Sequence, residues 1–115
     1  MTDIATYTLK RGDTAPVIQD TLLDANGNAV NLTGSTIRFH MANWERTTVI
    51  VNGVVTGWGG AALGSSGQVE YAPMSADVAT AGVFKAEWEV TFSGGKIETW
   101  PDEGHAVVNI EVDLA

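Results

Sequence analysis

Apolar and polar residues alternate along much of the chain. Between Val83 and Phe92, the apolar Phe84, Ala86, Trp88, Val90 and Phe92 take every second position, and Lys85, Glu87, Glu89 and Thr91 fill the positions between them. A period of two puts one set on a buried sheet face and the other in water, so this stretch predicts a strand. Thr36 to Ala42 repeats the pattern, with Ile37, Phe39 and Met41 on one face and Thr36, Arg38 and His40 on the other. Thr6–Lys10, Pro16–Leu23, Gln68–Ala72, Lys96–Trp100 and Ala106–Val112 predict further strands, the last with Val108, Ile110 and Val112 inward. Pro16 lacks an N–H and suits the first residue of a strand or an edge. Thr48–Val51 and Val54–Thr56 flank Asn52-Gly53, a pair that favours a two-residue type I′ turn, and together they predict a hairpin. Helical periodicity is missing over any long window; Pro73–Ala79 has room for one short turn of helix.

Between these runs lie turn sequences: Gly12-Asp13, Asp24-Ala25-Asn26-Gly27-Asn28, Thr33-Gly34 and Ser93-Gly94-Gly95. Asn and Gly tolerate positive φ, and Asp and Asn side chains bond to nearby backbone. Gly57 to Gly67, with Gly59, Gly60 and Gly64 inside it, reads as a flexible loop carrying Trp58. The pattern predicts an all-β fold, a two-sheet antiparallel β-sandwich of about 7–9 short strands with turns every 8–12 residues or so. At 115 residues, with no Pro/Ser-rich linker, a single domain spanning 1–115 is expected.

Charge narrows the function. The chain holds 14 acidic and 6 basic residues, a net charge of −8. Five acids and four bases precede Gly64; nine acids and two bases follow. Such a balance argues against nucleic acid, which needs a basic footprint, and against an anionic membrane surface. With no cysteine there is neither a disulfide nor a thiolate metal site. Met1-Thr2-Asp3-Ile4 lacks the charged and apolar regions of a signal peptide, so the chain is expected to be made in the cytosol.

Several short motifs invite chemistry, and each has a plainer reading. Arg11-Gly12-Asp13 matches an integrin-binding tripeptide but also suits a turn in which Asp13 bonds forward to the backbone. Asp24, Asn26 and Asn28 are spaced like a calcium loop, yet Ala29, Val30 and Asn31 follow where a bidentate acid is needed, so a turn is expected and no metal. Asn31-Leu32-Thr33 fits a glycan acceptor and is expected to stay unmodified. His40 and His105 have no ligand spacing, and Ser75, His40 and Asp77 lack a nucleophile-elbow signature. Glu87 and Glu89, roughly 7 Å apart along a strand, suit a wet sheet face beside Lys85 better than a carboxylate pair. Neither catalytic residues nor a cofactor are expected. Four tryptophans remain: Trp88 in the core register, and Trp44, Trp58 and Trp100 at strand ends or in loops. Exposed tryptophans serve as protein-contact hot spots or as sugar-stacking platforms, and rim packing over the open end of the sandwich explains the three equally well.

The ordered set Lys10-Arg11-Gly12-Asp13-Thr14, Asp24-Ala25-Asn26-Gly27-Asn28, Leu32-Thr33-Gly34-Ser35-Thr36-Ile37-Arg38-Phe39-His40-Met41, Gly67-Gln68-Val69-Glu70-Tyr71, the Ala79–Phe92 stretch and Thr99-Trp100-Pro101 resembles a known family. It is similar to the N-terminal, immunoglobulin-like domain of phage baseplate upper proteins and related short phage virion proteins. The resemblance implies a β-sandwich that docks into a phage tail or baseplate without catalysis, and localisation in the virion. It implies other virion proteins as partners, with a homo-oligomer in the particle as a further possibility. Ending at Ala115, without the C-terminal extension of larger members, the chain is expected to be an adaptor or decoration. The residues expected to meet partners are Trp44, Trp58, Gly59, Gly60, Leu63 and Trp100. The other reading is a carbohydrate-binding or adhesin module, using the same tryptophans with Asp102 and Glu103 as acceptors.

Overall fold

The computed structural model describes residues 5–102 and 104–114. They form eight strands: β1 (Thr6–Lys10), β2 (Ile18–Thr21), β3 (Thr36–Ala42), β4 (Val49–Val54), β5 (Gln68–Tyr71), β6 (Gly82–Thr91), β7 (Ile97–Trp100) and β8 (Ala106–Glu111). Short 3-10 turns lie at Trp58–Gly60 and Ser75–Val78. The large sheet runs β1-β8-β6-β3-β4, with β7 also paired to β6; β2 and β5 form the small sheet. The fold is a two-sheet β-sandwich. One pairing departs from an all-antiparallel pattern: β1 lies parallel to β8.

The alternating stretches pack as their pattern dictates. Ile37, Phe39 and Met41 of β3 and Ala86, Trp88 and Val90 of β6 are all at most 2 % exposed. They meet Leu9, Val108 and Ile110 from the same sheet, and Ile18, Val69 and Tyr71 from the small one. Trp88 tilts against Phe39 at 4.7 Å between ring centroids, and Tyr71 stacks on Phe39 at 5.1 Å. Val112, expected inward, lies beyond the end of β8 and is 62 % exposed.

The hairpin expected around Asn52-Gly53 lies elsewhere. Residues 49–54 form one unbroken strand, with Asn52 opposite His40 and Gly53 opposite Phe39. Gly53 serves packing: a Cβ there would stand 2.0 Å from Cε1 of Tyr71. The true turn is at residues 43–48, where Asn43 Oδ1 accepts from the backbone N–H of Thr47 and Thr48, at 2.9 and 3.0 Å. Beyond β4 the chain crosses to the small sheet, where Thr56 bridges Glu70.

β7 and β8 lie along the same side of β6. Trp88 faces Trp100 and Ala86 faces Ala106, so two steps along β6 are matched by six on the partner side. The four-residue excess forms a bulged loop at 101–105, which begins with a cis Trp100–Pro101 bond.

Candidate functional site

The outer face of the large sheet is a grid of cross-strand rows. Val49, Ala42, Lys85 and Val107 lie in one row; Asn52, His40 and Glu87 in the next; Val54, Arg38 and Glu89 in the third. These are the polar positions of the alternating pattern, joined by aliphatic residues from β4. The His40 Nδ1 stands 3.9 Å from Glu87, and Arg38 donates from Nε to Asn52 Oδ1 at 3.0 Å. At the hairpin tip Trp44 is half-exposed, with Lys85 Nζ 4.5 Å from its ring centroid, a cation–π contact.

A groove of about 280 Å³ opens on this face between the 43–48 turn and the 101–105 loop. His40, Arg46, Asn52, Lys85, Glu87 and His105 supply its polar lining, and Val49 is among its apolar residues. The fold thus joins two histidines that are far apart in sequence. His105 arrives because the bulged loop lies beside Glu87, between the β7 and β8 pairings of β6. Among the described residues, no group of three His, Cys, Asp or Glu could hold a metal ion. The groove offers basic and hydrogen-bonding groups beside aliphatic surface.

Along the groove runs the free edge of the sheet. β4 pairs only with β3 among the described residues, and its sequence Val-Ile-Val-Asn-Gly-Val has no charge. Val49 and Val54 are 67 % and 66 % exposed, and Ile50 is 37 % exposed at a bulge opposite Met41/Ala42. An uncharged, β-branched edge is a template for pairing with another strand, and proteins normally blunt such edges with charge or proline.

The six residues expected to meet partners do not form one site. Trp58, Gly59 and Gly60 form the 3-10 turn that covers the small sheet. Trp58 Nε1 donates to Val69 O at 3.1 Å, and Gly59 N–H donates to Glu70 Oε1 at 3.0 Å. The Glu70 carboxyl is held below the usual range, first by the Gln19 amide and then by Gly59 N–H. The loop is fastened along its length and does not hang free as expected: Gly57 N–H bonds to Ala61 O, Leu32 N–H to Gly64 O and Leu22 N–H to Gly67 O, each at 2.8 Å. Leu63 is partly buried against the core, while Trp58 keeps 39 % of its surface exposed.

Trp100 lies at a strand end as expected, the last residue of β7, but packs inward over the end of the sandwich and is not open to a partner. It is 8 % exposed, in register with Trp88, and its Nε1 donates to Leu23 O at 3.0 Å. Its ring walls a cavity of about 310 Å³ at one end of the sandwich, with Tyr7, Asp20, Trp88 and Pro101. There the Tyr7 hydroxyl donates to Asp20 and accepts from Trp88 Nε1; burial, then the Asp20 bond, raises its pKa. A sugar platform built on Trp100 loses its ring to the core, and Glu103 lies outside the described residues.

The other motifs are structural. Arg11 pairs with Asp113 at 2.9 Å, Gly12 N–H bonds to Val78 O, and the turn closes through Asp13 N–H to Lys10 O, not through the Asp13 side chain. Asp24 Oδ1 accepts from the backbone of Asn26 and Asn28, both at 2.9 Å, so the oxygen-rich loop is a hydrogen-bonded turn. Asp77 accepts from the Tyr71 hydroxyl and Met74 N–H, while His40 lies on the outer sheet face; the two do not form a catalytic group. A turn at Asn52-Gly53 would fold this segment back on itself, which hides β4 as an edge; the uncharged Val-Ile-Val run is the local signal for it.

No protein family matches the sequence, and no curated protein matches it. Solved structures share the fold. The N-terminal domain of ORF48 from phage TP901-1 aligns with a TM-score of 0.54 and 16 % identity, covering 96 % of this chain and 85 % of that one. CopC from Methylosinus trichosporium OB3b aligns with a TM-score of 0.53 and 14 % identity, covering 96 % and 88 %. At such identities the likeness concerns the fold.

Proposed function

We propose that this chain is a non-enzymatic structural component of a phage particle, acting through protein–protein contacts in the tail or baseplate, or as a neck or capsid adaptor or decoration. The observation that carries the reading is the open, uncharged β4 edge, which ends at the hairpin that holds Trp44. Exposed aliphatic residues beside a half-exposed tryptophan form the kind of surface that partner proteins cover. Likeness to the N-terminal domain of a phage protein over 96 % of the chain supports the setting. Trp58, Gly59 and Gly60 supply a second contact on the small-sheet side. Its partners are other virion proteins, or further copies of itself.

Peptide mass spectrometry of gradient-purified particles tests this reading. The chain should co-purify at a fixed copy number relative to the major structural proteins, and that ratio should survive a high-salt wash. A chain found only in the soluble fraction would contradict the proposal.

A further inference from the structure

The bases of this acidic chain are unevenly distributed. Among the described residues, Lys10 and Arg11 pair with Glu111 and Asp113 near the opposite edge of the large sheet. Among the described residues, no carboxylate lies within ion-pair distance of Arg38, Arg46, Lys85 or Lys96; the first three belong to β3, the β3–β4 turn or β6, while Lys96 lies just before β7. Arg46 and Lys85 line the groove together with His40, His105 and Asn52; Glu87, its carboxylate, stands against His40. Arg46 is the one non-glycine residue with positive φ among the described residues, at 61°. Glycine fits that conformation without strain, so the arginine there is not explained by the turn.

The backbone beside the groove is available. Val55 N–H bonds to Ile37 O, and antiparallel alternation then turns Val51 and Gly53 toward β3 and Asn52 and Val54 toward the open edge. The Asn52 carbonyl has only a long contact from Arg38, at 3.4 Å. A second copy presenting its own β4 would bring no carboxylate, because that strand is uncharged.

We propose that the β4 edge accepts an extended, acidic strand of a neighbouring protein, whose backbone pairs with Asn52 and Val54 and whose carboxylates meet Arg46 and Lys85 in the groove. Strand addition of this kind draws affinity from main-chain hydrogen bonds and specificity from the side chains alongside. The inference rests on reading the chain as a contact protein and adds the chemistry of the partner.

The probe is an octapeptide of alternating glutamate and valine with blocked ends, titrated at low salt into isotope-labelled protein and followed by NMR. A lysine–valine peptide is the control. The acidic peptide should shift and protect the amides of Asn52 and Val54 and shift the signals of Trp44, His40 and His105, while the basic peptide leaves them in place. Arg46→Gly suits the turn and should fold at least as stably as the parent, yet weaken the acidic peptide about fivefold, the size of one surface charge pair. Arg46→Lys should restore most of that loss, and Val49→Glu should weaken binding by repulsion. Absence of binding, equal binding of both peptides, shifts centred away from β4, or an indifferent Arg46→Gly would each overturn the inference. If the chain is present in particles but the acidic peptide does not bind, this inference falls and the proposed function stands. If the peptide binds but particles lack the chain, the proposed function falls alone.

Discussion

A methyl group at position 53 would stand 2.0 Å from Cε1 and 2.8 Å from Cζ of Tyr71. That ring is held from two directions: it stacks on Phe39, and its hydroxyl donates to Asp77 on the Ser75–Val78 turn. It has no free path away from an added Cβ. Gly53→Ala should therefore destabilise the domain by about 1–3 kcal/mol, as overpacking of a filled core does, although alanine is ordinarily the better strand residue. Urea denaturation checks this; an unchanged or raised midpoint would mean that the ring yields. Glycine at this position answers to a close approach between the two sheets, a tertiary cause that a local reading of Asn-Gly as a turn cannot contain.

Among the elements, the Trp58–Gly60 turn depends on one carboxylate. Glu70 Oε1 accepts from the Gln19 amide at 2.7 Å and from Gly59 N–H at 3.0 Å, and these bonds hold its pKa below the ordinary value. A carboxyl with a folded pKa below its unfolded one adds stability that is fully present above the unfolded value and fades as pH falls through the folded one. The stability difference between the parent and Glu70→Gln should be widest at neutral pH and shrink once the pH falls below about 4.5. Denaturation midpoints across that range decide it, and a pH-independent difference would contradict the role given to Glu70. The strands themselves were largely legible. β1 and β3 have the bounds their alternation predicts, and β6 is offset by one residue, because one wet and one dry face impose a period of two. The parallel β1–β8 pairing, the burial of Trp100 and the meeting of His40 with His105 were not legible. Each depends on which strands become neighbours and on a four-residue bulge, and neither leaves a local pattern in the chain.

Taken as a whole, the molecule carries a net charge of −8 yet sets Arg38 and Lys85 beside Glu87 and Glu89 on one sheet face, with Arg46 in the adjoining turn, next to its open apolar edge. The open, uncharged edge is suited to a partner that supplies a strand. The other conspicuous aromatic groups are already engaged: Trp100 closes one end of the sandwich, and Trp58 is bonded to the small sheet. The proposed contact surface is therefore centred on β4 and Trp44, with the Trp58 turn as a proposed second contact. The most direct measurement is a cryo-electron microscopy map of the purified particle, at a resolution that shows side chains. This sandwich should stand at a defined symmetric position, with Trp44 and the β4 edge buried against a neighbouring subunit. A particle map without the domain, or one in which β4 and Trp44 face open solvent, would contradict this.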